Sequence, residues 1–170
     1  MAGFAIGGGN VGIHGSLNGT LLKNGYELTG RISTQQKFTL NFGNSINSRD
    51  YVNEYALLVG KNVTRHPISH FVFSAGIALV DVVNKGEGTP ILNETSSNYF
   101  FYAPRYRYEL IHRYTVGVPV EMKYFNNFLR LVPVTVSFGT NVNPKQSFYY
   151  LTLGVQFGNT RERLIKNSGN

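Results

Sequence analysis

Apolar and polar residues alternate along most of this 170-residue chain with the period of two that marks a strand with one apolar face. The clearest case is residues 147–158, where Tyr149, Leu151, Leu153, Val155 and Phe157 share one face and Tyr150, Thr152, Gly154 and Gln156 the other. That run is about as long as the roughly 9–11 residues a tilted strand needs to cross a bilayer. Earlier, Val11, Ile13, Leu17 and Leu21 alternate with Gly12, His14, Ser16, Asn18 and Thr20. Lys23-Asn24-Gly25 follows, and Asn-Gly predicts a tight hairpin. Tyr26, Leu28, Ile32, Phe38, Leu40 and Phe42 continue one parity, interrupted by Thr34 and Gln36, where a bulge or an exit from the apolar layer is expected.

Further strands are expected over residues 3–8, 51–63, 68–83, 105–125 and 128–142. Turns are expected at 64–67, at Asn126-Asn127 and at 143–146, and longer loops at 43–50 and 84–98. The sum is eight strands with both termini at one end and connections that alternate between short and long. This is the pattern of an all-β, eight-stranded antiparallel up-and-down transmembrane β-barrel. The barrel would occupy residues 1–158, and a polar tail residues 159–170.

Alternation does not say which face is outside, because a soluble lipocalin-like carrier of an apolar ligand has the same period with the apolar face inward. Composition decides. Charged residues make up only 15%, while glycine (19) and aromatics (14%) are abundant. The polar parity is largely Gly, Ser, Thr, Asn and Gln, which suits a crowded lumen better than a solvated exterior. Tyr26, Tyr124 and Tyr149 near strand ends fit an interfacial girdle. No apolar run of 18 residues exists for a membrane helix, and no signal-peptide pattern is visible. The absence of cysteine excludes disulfides and thiolate metal sites. The net charge of +7 is scattered and accompanies no nucleic-acid motif, so anionic lipid is the expected partner and nucleic acid is not.

The stretches TVGVPVE at 115–121, VTVSFGTN at 134–141 and SFYYLTLGVQFGNTR at 147–161 resemble the small outer-membrane β-barrels of Gram-negative bacteria, the OmpA-like and OmpX-like group. The resemblance implies a monomeric barrel in the bacterial outer membrane, with no cofactor, and with a structural or surface-interaction role rather than an enzymatic one. It also implies an insertion signal at the closing-strand aromatic, which Phe157 matches in type.

Glu27, Arg31, Glu54, Arg113, Glu121 and Lys123 lie on the polar parity and are expected to pair inside the barrel. Tyr99, Phe100, Phe101 and Tyr102, beside Arg105 and Arg107, form the candidate external contact patch for an extracellular or envelope protein. A lipid-acting enzyme is the alternative, because His14 and Ser16, and His70 and Ser74, share strand faces and glutamates are near. Pro119 and Pro133 interrupt strong strands. With a turn at Asn126-Asn127, Pro119 would face Val134 and Pro133 would face Val120, which places two missing N–H donors at one height.

Overall fold

A computed structural model describes residues 1–37, 50–63, 69–86, 110–126 and 132–158. Eight antiparallel strands, β1 (Ala2–Gly9), β2 (Ile13–Lys23), β3 (Tyr26–Gln36), β4 (Tyr51–Asn62), β5 (Ser69–Lys85), β6 (Leu110–Asn126), β7 (Val134–Val142) and β8 (Phe148–Phe157), pair in sequence order, and β8 closes on β1. Closure leaves no sheet edge through the body of the barrel, which an apolar surround requires because it offers backbone groups no other partner.

The tight hairpin falls where Asn24-Gly25 predicts it. Asn24 has φ 54° and Gly25 φ 79°, and Lys23 pairs with Tyr26. Two consecutive left-handed residues give the turn whose twist matches its strands. Thr34 and Gln36 produce no bulge: β2 and β3 stay in unbroken register up to Ile13 opposite Gln36.

The apolar parity is outside. Leu17, Leu21, Ile77, Tyr114, Val116, Leu153 and many similar residues are exposed, while Thr29, Arg31, Ser33, Gln35, Glu54, Glu121, Lys123, Thr152 and Gln156 are buried. This is the reverse of a soluble carrier barrel. A small apolar cluster, including Val52, Leu58, Val80, Phe148 and Tyr150, shares the interior with these polar groups.

The β6–β7 hairpin departs from the sequence expectation. Asn126 pairs with Val134, so residues 127–133 all lie between the strands, and Val132 and Pro133 are not part of β7. Pro119 therefore faces Asn141, and Val120 faces Thr140. The two prolines are not level, and β6–β7 pairing runs without a break from Val118 to Asn126. The physical reason is that Pro133 cannot donate to a ladder, so the strand begins after it. Its carbonyl still accepts from the Gln156 N–H at 3.0 Å. The ladder lapses instead between β5 and β6, where pairing skips Gly76 opposite Pro119 and Ile77 opposite Val118 and resumes in the same register. Strand β6 begins at Leu110 among the described residues, against an expected start at 105 that lies outside them, as do the turns expected at 64–67 and Asn127 and the tail expected at 159–170.

Candidate functional site: the buried ion-pair network and the extended hairpin

One rung of the barrel carries most of the lumen chemistry. Glu27, Gly60, Ser74, Glu121, Gly139 and Tyr150 lie side by side from β3 to β8, all facing inward. The glycines make room for the larger members. A Cβ on Gly139 would sit 2.3 Å from the Tyr150 ring, so the phenol lies directly over that position.

Arg31, also on β3, has Ala56, Ala78 and Gly117 as neighbours on its own rung. These small residues leave its guanidinium free to cross the lumen. Nε donates to Glu54 Oε1 at 3.0 Å, and Nη2 donates to the same oxygen. Nη1 donates to Glu121 Oε2 at 2.8 Å and to the Tyr150 hydroxyl. The Arg31 Cζ lies 5.1 Å from the Tyr150 ring centroid. Glu54 Oε2 accepts from Asn141 Nδ2 at 2.9 Å. A planar guanidinium with five fixed donors suits such a multi-carboxylate hub, whereas a lysine could supply only a point charge.

A second pair lies beside the first. Lys123 Nζ donates to Glu27 Oε1, which also accepts from Thr29 Oγ1 at 3.1 Å; Thr29 in turn shares a hydrogen bond with Thr20 at 3.0 Å. The five residues comprise two cations and three carboxylates, and none is more than 6% exposed. Buried charge is tolerable only when paired and hydrogen-bonded in this way.

Five of the six sequence-nominated lumen residues thus meet: Glu27, Arg31, Glu54, Glu121 and Lys123. Arg113 does not join them. It keeps the inward parity but lies on the outer part of β6, opposite Val82, and is exposed. Sequence reasoning missed Tyr150, Asn141 and Thr29; the inward parity of Tyr150 was visible, but its contact with Arg31 depends on barrel closure.

The histidines have other partners. His14 stacks on Tyr150 with centroids 4.2 Å apart, and its Nδ1 meets Gln35 Nε2 at 3.1 Å. Among the described residues its Nε2 has no hydrogen-bond partner, and Ser16 is bonded to neither nitrogen. His70 stacks on Phe125 at 4.5 Å, and the Ser74 hydroxyl has no hydrogen-bond partner among the described residues. Neither Ser–His couple forms a dyad.

At the other functional extreme, β5 and β6 are each 17 residues long and outreach their neighbours. Pairing with β7 ends at Val118 opposite Val142, while pairing with β5 continues to Leu110. Residues 110–117 therefore have β5 on one side and no strand on the other among the described residues. From Leu110 to Tyr114 both faces of β6 are exposed. On the outward face of this extension, His112 Nδ1 lies 3.0 Å from Asp81 Oδ2, and Asp81 is buried. Tyr99, Phe100, Phe101, Tyr102, Arg105 and Arg107 lie outside the described residues.

A closed eight-stranded antiparallel barrel with an apolar exterior and a charged, paired interior defines the class: an eight-stranded transmembrane β-barrel of the kind found in the outer membrane of Gram-negative bacteria. The solved structures it is similar to are of that kind. The N-terminal β-barrel domain of Pseudomonas aeruginosa OprF matches with a TM-score of 0.54 at 14% identity, over 92% of this chain and 95% of that one. Ail, the attachment invasion locus protein of Yersinia pestis, matches with a TM-score of 0.55 at 9% identity, over 92% of this chain and 93% of that one. At such identities the likeness is one of fold. No protein-family model and no curated protein sequence matches the chain.

Proposed function

We propose that this protein is a non-catalytic outer-membrane barrel that holds its interior shut and acts through surface contact. The Arg31-centred network is the stopper: in an eight-stranded barrel the lumen is only wide enough to be filled by side chains, and here those side chains are held by charge-assisted hydrogen bonds. The observation that carries the contact role is the β6 edge over residues 110–117, which has no strand beside it on the β7 side among the described residues. A strand edge with available N–H and C=O groups is a template for a strand from another protein, and exposed Leu110, Ile111 and Tyr114 supply apolar anchorage beside it. The printed name of Ail, an attachment invasion locus protein, is in keeping with such a role. The sequence-nominated cluster at 99–107 lies between the two long strands in the sequence and outside the described residues.

Two measurements test the two halves. Planar-bilayer recording should show no steady conductance from the wild-type protein; an open, stable channel would refute the stopper. Cells displaying the protein should adhere to an epithelial monolayer, and Ile111→Lys with Tyr114→Lys should abolish adhesion while the barrel's urea midpoint stays unchanged. Undiminished adhesion by the double variant would remove the edge from the mechanism.

A further inference from the structure

At the end of the barrel opposite the termini, a cavity of about 480 Å³ lies where the β1–β2 turn, the end of β3, the start of β4, the end of β5 and the β7–β8 turn meet. Its floor is apolar: Val52 and Val83 are buried, and Val11 packs against the interior apolar cluster. Around that floor stand Lys37, Asn84 and Gln146. Among the described residues the Lys37 ammonium makes no ion pair, and the Asn84 and Gln146 amides make no side-chain hydrogen bond. Asp50 lines the cavity too and already holds an interaction of its own. Arg113 belongs to the same mouth. It shares the inward rung of Gln35, Val52 and Val82, two strand spacings, about 10 Å, from Val52. It too makes no ion pair among the described residues. The cations deeper in the lumen, Arg31 and Lys123, are each tied to carboxylates, whereas the two at the mouth are not.

We propose that this mouth binds a polyhydroxylated carboxylate, the chemistry of a sugar acid. The two cations select the carboxylate: Lys37 supplies a point charge, and the planar Arg113 guanidinium can take both carboxylate oxygens through parallel hydrogen bonds. The two amides select the hydroxyls. Asn84 and Gln146 each present a donor and an acceptor, and a hydroxyl, itself both, satisfies either group. A purely aliphatic anion would leave these half-buried amides unserved. The valine floor accepts the C–H face of a sugar, in the usual pattern of an apolar base with a few convergent polar groups. Size agrees as well: about 480 Å³ corresponds to roughly 16 water volumes of about 30 Å³, room for a six-carbon sugar acid and several waters. The Arg31 network lies deeper in the lumen, so the ligand enters from the mouth and stops there. Binding depends on the barrel fold and not on the β6 edge.

The probe is glucuronate, with glucose as the uncharged control and acetate as the control without hydroxyls, all at constant ionic strength. The protein is held in phosphatidylcholine nanodiscs, whose surface carries no net charge. The chain contains no tryptophan, so Tyr51→Trp places a single reporter in the cavity lining and Phe138→Trp a control on the outward face of β7. Emission from Tyr51→Trp should change saturably with glucuronate, and emission from Phe138→Trp should not. Calorimetry on the wild-type chain should return the same dissociation constant without a reporter. Lys37→Gln and Arg113→Gln, both at exposed positions, should each weaken binding by about tenfold and leave the urea midpoint unchanged. Glucose and acetate should bind more weakly by a similar factor. The absence of a saturable response in both measurements would overturn the site. So would equal binding of acetate, which would mean a diffuse cationic rim only, or undiminished binding by the Lys37→Gln/Arg113→Gln double variant. An oligosaccharide ending in glucuronate that binds as well as the monosaccharide would identify a glycan end as the source, and its rejection a free sugar acid. Tighter binding of internal than of terminal glucuronate would overturn the cavity as the site.

Discussion

Replacing Arg31 by methionine is the most direct challenge to the interior as described. The side chain is 4% exposed and is the cation shared by Glu54 and Glu121, and it also donates to Tyr150. Arg31→Met keeps most of the apolar stem but leaves two buried carboxylates with no guanidinium between them; among the described residues Asn141 continues to donate to Glu54. Removing one partner of a buried ion pair typically costs about 3–5 kcal/mol, and here two anions are orphaned, so the loss should be at least that large. With a urea dependence of about 1–3 kcal/mol per molar, the unfolding midpoint should fall by roughly 1 M or more. The assay is reversible urea unfolding in lipid vesicles, followed by circular dichroism. The triple variant Arg31→Met/Glu54→Gln/Glu121→Gln separates charge from packing: with the anions gone, most of the loss should return, because a neutral substitute for a buried ion network is often near neutral in stability. A single-variant loss below about 1 kcal/mol, or a triple variant as unstable as the single one, would refute the claim that charge pairing holds this interior.

Two further outcomes follow from other parts of the barrel. Leu153→Arg, in the middle of β8 and 61% exposed, should cost about 2–4 kcal/mol in vesicles, while Phe157→Arg at the strand end should cost about 0–1 kcal/mol; equal costs would contradict a bilayer covering that face. Gly139→Ala should destabilise by about 1–3 kcal/mol through collision with the Tyr150 ring, and in a double-mutant cycle with Tyr150→Leu the two changes should be strongly non-additive; additive effects would mean that the ring does not rest on Gly139.

Five lumen charges were legible because parity in a strand is a local property: once Leu28 and Ile32 are outside, Glu27 and Arg31 must be inside. Arg113 shows where that inference stops. Its parity is inward, but inwardness means burial only where strands close around it, and β7 ends before reaching its level. The β6–β7 turn was misjudged for a related reason. Asn126-Asn127 has the chemistry of a tight turn, yet the strand after it starts only beyond Pro133, and that choice is imposed by the ladder with β8 and the position of the missing N–H. The prolines consequently moved apart, and the interruption they signalled appears on the other side of β6, against β5.

The sequence by itself determined the strand count, the Asn24-Gly25 hairpin and the two faces, because side-chain alternation and turn chemistry act over a few residues. It also determined that the apolar face lies outside, since so few charges are available to cover an exterior. Tertiary structure alone decided which residues share a rung. Arg31 meets Glu121 and Tyr150, 90 and 119 positions away, only because eight registers add up to one closed cylinder. The stretch of β6 that has no strand on its β7 side among the described residues has the same origin. It exists through the stagger of neighbouring strands, a quantity that no single strand's sequence contains.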